Sequence, residues 1–253
     1  MKALRTFVAA TCLCAAGIAP ALAQGTTFQN GTFDANATTG WQSYGDVLAA
    51  NDRLRLTTAS LYDDDIPGQN GFNNQSGVAA VDFFASPDLA GIPVSAFDLG
   101  GYAYEGSAVR QDFVANAGDL LTVTFNWAFL STDTANPDFG FVALNDSVFK
   151  FVDTTSSVLN GVFLGTFADS SNVNWSWYQS TYTYQANSSG AVSLALGVVD
   201  VGDVLNTSEL RIDNVVVSAV PEPETYAMLL AGLGLLGGYV RRRNKKQPQA
   251  TQA

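Results

Sequence analysis

Any chemistry in this chain has to come from carboxylates and aromatic rings, because few other reactive groups are present. No histidine occurs among its 253 residues. That removes the Ser-His-Asp triad, the usual zinc ligands and the commonest general base together. The two cysteines, Cys12 and Cys14, lie in the first two dozen residues, which read as an export signal. A mature chain without that segment has no thiolate nucleophile, cysteine metal site or disulfide. Acid–base work would fall to Glu105 and Glu209, the two glutamates between residues 24 and 220, or to aspartates. A retaining glycosidase needs two carboxyls about 5 Å apart, and nothing in the spacing sets Glu105 beside Glu209. The expectation is therefore a protein that is not an enzyme. The alternative is a secreted polysaccharide hydrolase working through aspartate and glutamate carboxylates. Such side chains suit a hard cation better, since Ca2+ takes roughly six to eight oxygen ligands. Asp200, Asp203 and Asp213 form one acidic group and Asp63, Asp64 and Asp65 another; solvated loop acids are the plainer reading of both.

The aromatic residues suggest a sugar platform. Between residues 175 and 184, Tyr178, Tyr182 and Tyr184 share one face of a continuous strand, and Trp175 and Trp177 share the other. One set must pack in the core, which leaves the other to stack on a ligand. Tyr178, Tyr182 and Tyr184 are the candidate carbohydrate-binding residues.

Charge narrows the partners. Of the 12 basic residues, Lys2 and Arg5 lie at the N-terminus, and Arg241, Arg242, Arg243, Lys245 and Lys246 near the C-terminus. Of the 23 acidic residues, only Glu222 and Glu224 lie outside residues 24–220. The body is left with 5 basic and 21 acidic residues, a net charge near −16. Such a field repels nucleic acid and anionic lipid and attracts divalent cations.

The elements that must position these groups are strands. Apolar residues recur with a period of two: Leu54 and Leu56 against Arg53, Arg55 and Thr57; Leu121, Val123, Phe125 and Trp127 against Thr122, Thr124 and Asn126. Phe139, Phe141 and Ala143, then Val192, Leu194 and Leu196, then Leu210 and Ile212 repeat the pattern. Turn-forming clusters at 115–118, 144–147 and 186–190 separate them. About nine or ten strands at this spacing predict an all-β domain, a β-sandwich of jelly-roll type, with no internal repeat to suggest a propeller. The polar, Gly-rich stretch 62–77 reads as a long surface loop.

Both ends read as addresses rather than fold. Lys2 and Arg5, the apolar stretch 7–18 and Ala21-Leu22-Ala23 make a secretory signal peptide, cleaved after Ala23. At the other end Pro221-Glu222-Pro223 precedes an apolar run, 226–240, and a basic cluster. The run is expected to form the one helix of the chain beyond the signal peptide, at about 224–242. It is short for a spanning helix, but an interfacial Tyr226 and snorkelling arginines extend it. A single C-terminal transmembrane helix is expected, with the basic cluster on the cytoplasmic side.

These three ordered elements resemble the PEP-CTERM sorting signal of Gram-negative bacteria. The resemblance implies processing by a membrane-embedded exosortase at Pro221, Glu222 and Pro223. It also implies export across the inner membrane, transient anchoring there, and release to the cell surface or extracellular matrix. Residues 247–253 run past the basic cluster, where such tails usually end. Two further segments, 129–142 and 197–214, resemble stretches of the extracellular domains that carry such tails.

Asn30-Gly31-Thr32-Phe33-Asp34 with Gly40-Trp41, and Ile212-Asp213-Asn214-Val215, are similar to the opening and closing strands of carbohydrate-binding modules with a galactose-binding-like jelly-roll. That resemblance implies a structural Ca2+ held by Asp34 and Asp213, with main-chain carbonyls near residues 30–32. Asp34 stands where those modules usually carry Glu, one methylene longer. The bland alternative is turn chemistry at both motifs. The organisation expected is a signal peptide at 1–23, a β-sandwich at 24–219, a sorting signal at 220–246 and a polar tail at 247–253. The role expected is structural or adhesive, in the cell envelope or exopolysaccharide, with weak carbohydrate binding.

Overall fold

A computed structural model describes residues 28–61, 74–131, 133, 135–155, 157–220 and 223–244. The signal peptide, most of the 62–77 loop with Asp63, Asp64 and Asp65, Pro221, Glu222 and the 247–253 tail lie outside the described residues.

The strands run, in chain order, β1 (Gln42–Tyr44), β2 (Asp46–Ala49), β3 (Leu54–Thr57), β4 (Val81–Asp82), β5 (Asp88–Leu89), β6 (Ile92–Pro93), β7 (Ala103–Ala115) and β8 (Leu120–Leu130). Then come β9 (Phe139–Leu144), β10 (Ser147–Asp153), β11 (Ser157–Val158), β12 (Val162–Ala168), β13 (Asn174–Gln185), β14 (Gly190–Val201) and β15 (Glu209–Val220). One antiparallel sheet has the order β1-β7-β14-β9-β10-β11, with β4 also on β7. The second has the order β12-β13-β8-β15-β3-β2. The all-β sandwich is thus the fold, and the surplus over nine or ten strands consists of two-residue pieces such as β4, β5, β6 and β11.

Alternation decides what lies between the sheets. Leu54, Leu56, Val123, Phe125, Trp127, Leu210 and Ile212 from one sheet meet Val109, Phe113, Val142, Leu144, Leu194 and Leu196 from the other. Trp127 is the anchor: its ring stacks 4.9 Å from Tyr178 and its Nε1 donates to Ser180 Oγ at 2.7 Å. Truncating so large a buried ring costs about 3–5 kcal/mol.

The sheet containing β9 is buried on both faces. Phe139, Phe141 and Ala143 do share a face, but it is the outer one, and Leu89, Ile92 and Phe97 cover it. Phe97 packs 4.8 Å from Phe141. The outer face of the second sheet carries only a small apolar group, Ala128, Trp175 and Trp177. That leaves it free to carry polar chemistry.

The C-terminal helix forms where expected, as α1 (Pro223–Asn244), about 33 Å long at 1.5 Å per residue. Its expected role as a spanning helix is corrected. Among the described residues no helix is long and apolar enough to cross a membrane. The apolar stretch 226–240 is 15 residues, and Gly232, Gly234, Gly237 and Gly238 dilute it. Leu229, Leu230, Leu233, Leu235 and Leu236 nevertheless stand exposed along it.

Candidate functional site

Register across the second sheet builds the site. Trp177 lies opposite Ala128, Ala128 opposite Arg211, and Arg211 opposite Arg55. Strands β13, β8, β15 and β3 therefore set two arginines and a tryptophan in one row on the outer face. Arg53, two residues before Arg55, points the same way, since Leu54 and Leu56 take the inner positions. The result is a cleft of about 580 Å3 between this face and the turn after β12. Arg53, Arg55, Arg211, Asp169, Phe167 and Trp175 line it. Three of the body's five basic residues thus gather at one point of a strongly acidic domain.

The charges are fixed by one another. Glu209, fully buried, accepts from Arg55 Nε and Nη2 at 2.8 and 3.0 Å and from Arg211 Nε at 2.7 Å. Arg211 Nη2 reaches Asp169 Oδ2 at 3.0 Å, and its guanidinium lies over the Trp175 ring at 3.6 Å. Trp175 Nε1 donates to the same Asp169 oxygen at 3.1 Å. Burial works to raise the Asp169 pKa, but N–H donors from Val173 and Ser171, with Arg211 and Trp175, outweigh it and hold the carboxyl below its usual range. Arg53 is different. Among the described residues no ion pair forms to it; its Nε donates to Asn51 O, and its guanidinium sits 5.3 Å from the Trp177 ring. The cleft therefore carries three cations against two hydrogen-bonded carboxylates, with Asp213 near enough to Arg53 to interact with it. Such a place can hold an anion by charge-assisted hydrogen bonds, and of its rings Phe167 is the one exposed enough to stack on apolar surface.

The tyrosines face together, but inward. Tyr178, Tyr182 and Tyr184 are half-buried against the core; Tyr182 lies 5.6 Å from Phe149, and the Tyr184 hydroxyl accepts from Asn145 Nδ2 at 2.8 Å. Burial raises the Tyr182 pKa. Trp175 and Trp177 hold the outer face instead, nearly covered by the arginines and their loop. The arginine group was missed from sequence. Its signal was the scarcity of basic residues combined with Arg53, Arg55 and Arg211 all sitting at outward positions.

The two ends of the domain do meet. Val215 N–H donates to Gly31 O at 2.8 Å, and a Cβ on Gly31 would collide with the Val215 carbonyl oxygen. Asn30, Phe33, Ala35 and Asn36 take positive φ in winding this loop. Asp213 is pushed up by burial, with Asp34 and Asp52 adding repulsion, so the expected ligand pair lies within electrostatic reach. Asp34 itself accepts from Thr32 Oγ1 at 2.6 Å. Among the described residues no group of three acidic side chains is gathered to hold a metal.

At the C-terminal end, sequence and structure converge on α1 and the residues before it. Residues 219–244 match the PEP-CTERM protein-sorting motif. No curated protein matches the chain at a significant level. The motif marks an exported protein sorted through an exosortase, anchored transiently before processing. Pro221 and Glu222 of the processing signal lie outside the described residues, and Pro223 opens α1.

Proposed function

We propose that this is a non-enzymatic β-sandwich protein of the cell envelope or exopolysaccharide, which binds acidic glycan in the arginine cleft after its PEP-CTERM tail is processed. The observation that carries this reading is the stack of Arg211 on Trp175 beside Arg55 and Arg53, the last without an ion pair among the described residues. Carboxylated or sulfated sugars offer both things the cleft takes: an anionic group for guanidinium and a C–H face for the exposed Phe167 ring. Glu209 and Asp169 support binding over hydrolysis, because both are tied to arginines and neither is poised as a general acid.

The anchor before processing is α1, lying in or against the bilayer with its leucines buried and its basic end at the headgroups. The sandwich is of galactose-binding-like jelly-roll type, a reading supported by the Gly31–Val215 pairing of its two ends. Asp34 and Asp213 would hold a structural Ca2+ there, with Asp52 as a third acid.

The test is a glycan array probed with the purified protein. Retention on uronic-acid or sulfated polymers, weakened by added salt, is the expected result. No binding, or equal binding to neutral polymers, overturns it; release of reducing ends overturns the non-enzymatic part.

A further inference from the structure

A second polar centre sits at one end of the sandwich, and no step above uses it. Asp200, on β14, is 1 % exposed, and among the described residues neither of its carboxylate oxygens has a hydrogen-bond partner. Its register neighbour on β7 is another acid, Glu105. Asp138, fully buried, closes the group from the second side: its Oδ1 accepts from Val201 N–H at 3.0 Å and its Oδ2 from Ser208 Oγ at 2.6 Å. Asp133, also buried, and the half-buried Asp203 are joined through Asn136, whose Nδ2 donates to both at 3.3 and 2.7 Å. The other four carboxyl groups thus lie close enough to act electrostatically on Asp200.

The energetics of that arrangement are unfavourable as it stands. Burial pushes the Asp200 carboxyl far above the ordinary carboxylate range, and the acidic side chains of Asp138, Glu105, Asp203 and Asp133 push it further. Burial raises Asp138 as well. A buried ionised carboxylate without a partner is among the costliest groups a fold can hold. A proton removes the charge but leaves Asp200 with an O–H and a C=O that both still need partners. A divalent cation does more: it offsets two carboxylates at once and occupies the orphaned oxygens.

We propose that Asp200, with Glu105 and Asp138 beside it, forms a divalent-cation site between the two sheets, and that the ion is Ca2+. The ligand set is all oxygen, which favours Ca2+ or Mg2+ over zinc or copper. Irregular spacing around a β-bulge between Asp200 and Val201 favours the ion that tolerates flexible geometry, Ca2+. The shell is not preformed, since among the described residues no three acidic side chains are yet gathered as a cage. Asp200 and its neighbours supply the charge; main-chain carbonyls and water complete the coordination. The ion would tie β14 and β7 to the segment leading into β9, and through Ser208 to the start of β15.

The test is a thermal melt of the purified full-length protein in chelator, in millimolar Ca2+ and in millimolar Mg2+. A Ca2+-specific rise in Tm on the order of 5–10 °C is expected for a hundredfold excess over Kd. In an Asp213→Asn background, where no ion at Asp34 and Asp213 contributes, Asp200→Asn should melt at or above its parent in chelator, because it removes the buried charge, and should gain nothing from Ca2+. Asp213→Asn should keep the rise, which separates this site from one at Asp34 and Asp213. A wild type without a Ca2+-specific rise overturns the proposal. So does a rise that survives Asp200→Asn in that background, or that disappears in Asp213→Asn alone. If Asp200→Asn does not fold, calorimetric titration of wild type and Glu105→Gln with CaCl2 decides: at least a tenfold loss of affinity is expected, and unchanged affinity refutes the site.

Discussion

Arg211 and Trp175 form one unit: the guanidinium lies 3.6 Å above the indole, and both donate to the same Asp169 oxygen. The planar cation is held on three sides, by a ring, by Asp169 and by Glu209. A lysine could take the charge but not the stack or the fork. The pair stiffens the floor of the cleft and fixes the turn after β12 over it.

Removing Arg211 should therefore cost stability as well as binding. Arg211→Ala leaves the buried Glu209 with Arg55 alone and strips the cover from Trp175. The expected loss is about 2–4 kcal/mol, read as a lower urea midpoint, with Arg211→Lys recovering part of it. An Arg211→Ala protein with an unchanged midpoint would show that the unit is ornamental.

Arg53 should behave in the opposite way. It has no ion pair among the described residues and is only half-buried. Arg53→Ala is expected to shift stability by no more than about 0.5 kcal/mol, while weakening acidic-glycan binding tenfold or more. The two readings come from one preparation, a urea melt and a binding isotherm. Unchanged affinity would move the ligand away from this cleft.

What was legible in the sequence follows from how local each signal is. The alternation of Leu54 and Leu56 with Arg53 and Arg55 fixes both faces of β3 without knowledge of its neighbours. The parity of Tyr178, Tyr182 and Tyr184 against Trp175 and Trp177 is equally local and is correct. Which face points inward is not local. It depends on the order β13-β8-β15, which brings Ala128 and Arg211 beside Trp177. Nor does any period betray the cover on Phe139 and Phe141, because Leu89, Ile92 and Phe97 sit in two-residue strands and a single 3-10 turn. The tail was legible because its signals are ordered along the chain. Its expected spanning role does not hold, because the order of signals along the chain does not weigh how far glycine dilutes the apolar run.

Asp169 gives a pH signature. Its folded pKa lies below the ordinary carboxylate value, so it binds fewer protons folded than unfolded in the window between the two. Its stabilisation is full above about pH 4 and is lost as pH falls through the lower folded value. Asp169→Asn should thus destabilise the protein at pH 7 and approach wild type as the pH falls below the ordinary carboxylate range. Paired urea melts across that range test it; a wild-type advantage that persists at the acid end refutes the assignment.

The last prediction concerns the ends. A helix with Leu229, Leu230, Leu233, Leu235 and Leu236 exposed cannot remain free in water without cost, at about 25 cal/mol per Å2 of apolar surface. It must be buried in lipid or removed. In a host with an exosortase, intact mass should show a chain that begins at Gln24 and ends near 221–224. In a host without one, α1 stays attached and the protein should fractionate with membranes, despite an apolar stretch too short to cross unaided. Placing alanine at both Pro221 and Glu222 should convert the first behaviour into the second. Secreted protein that still carries residues 226–253 in the exosortase host would refute removal of the tail. Soluble full-length protein in the other host would refute anchoring through α1.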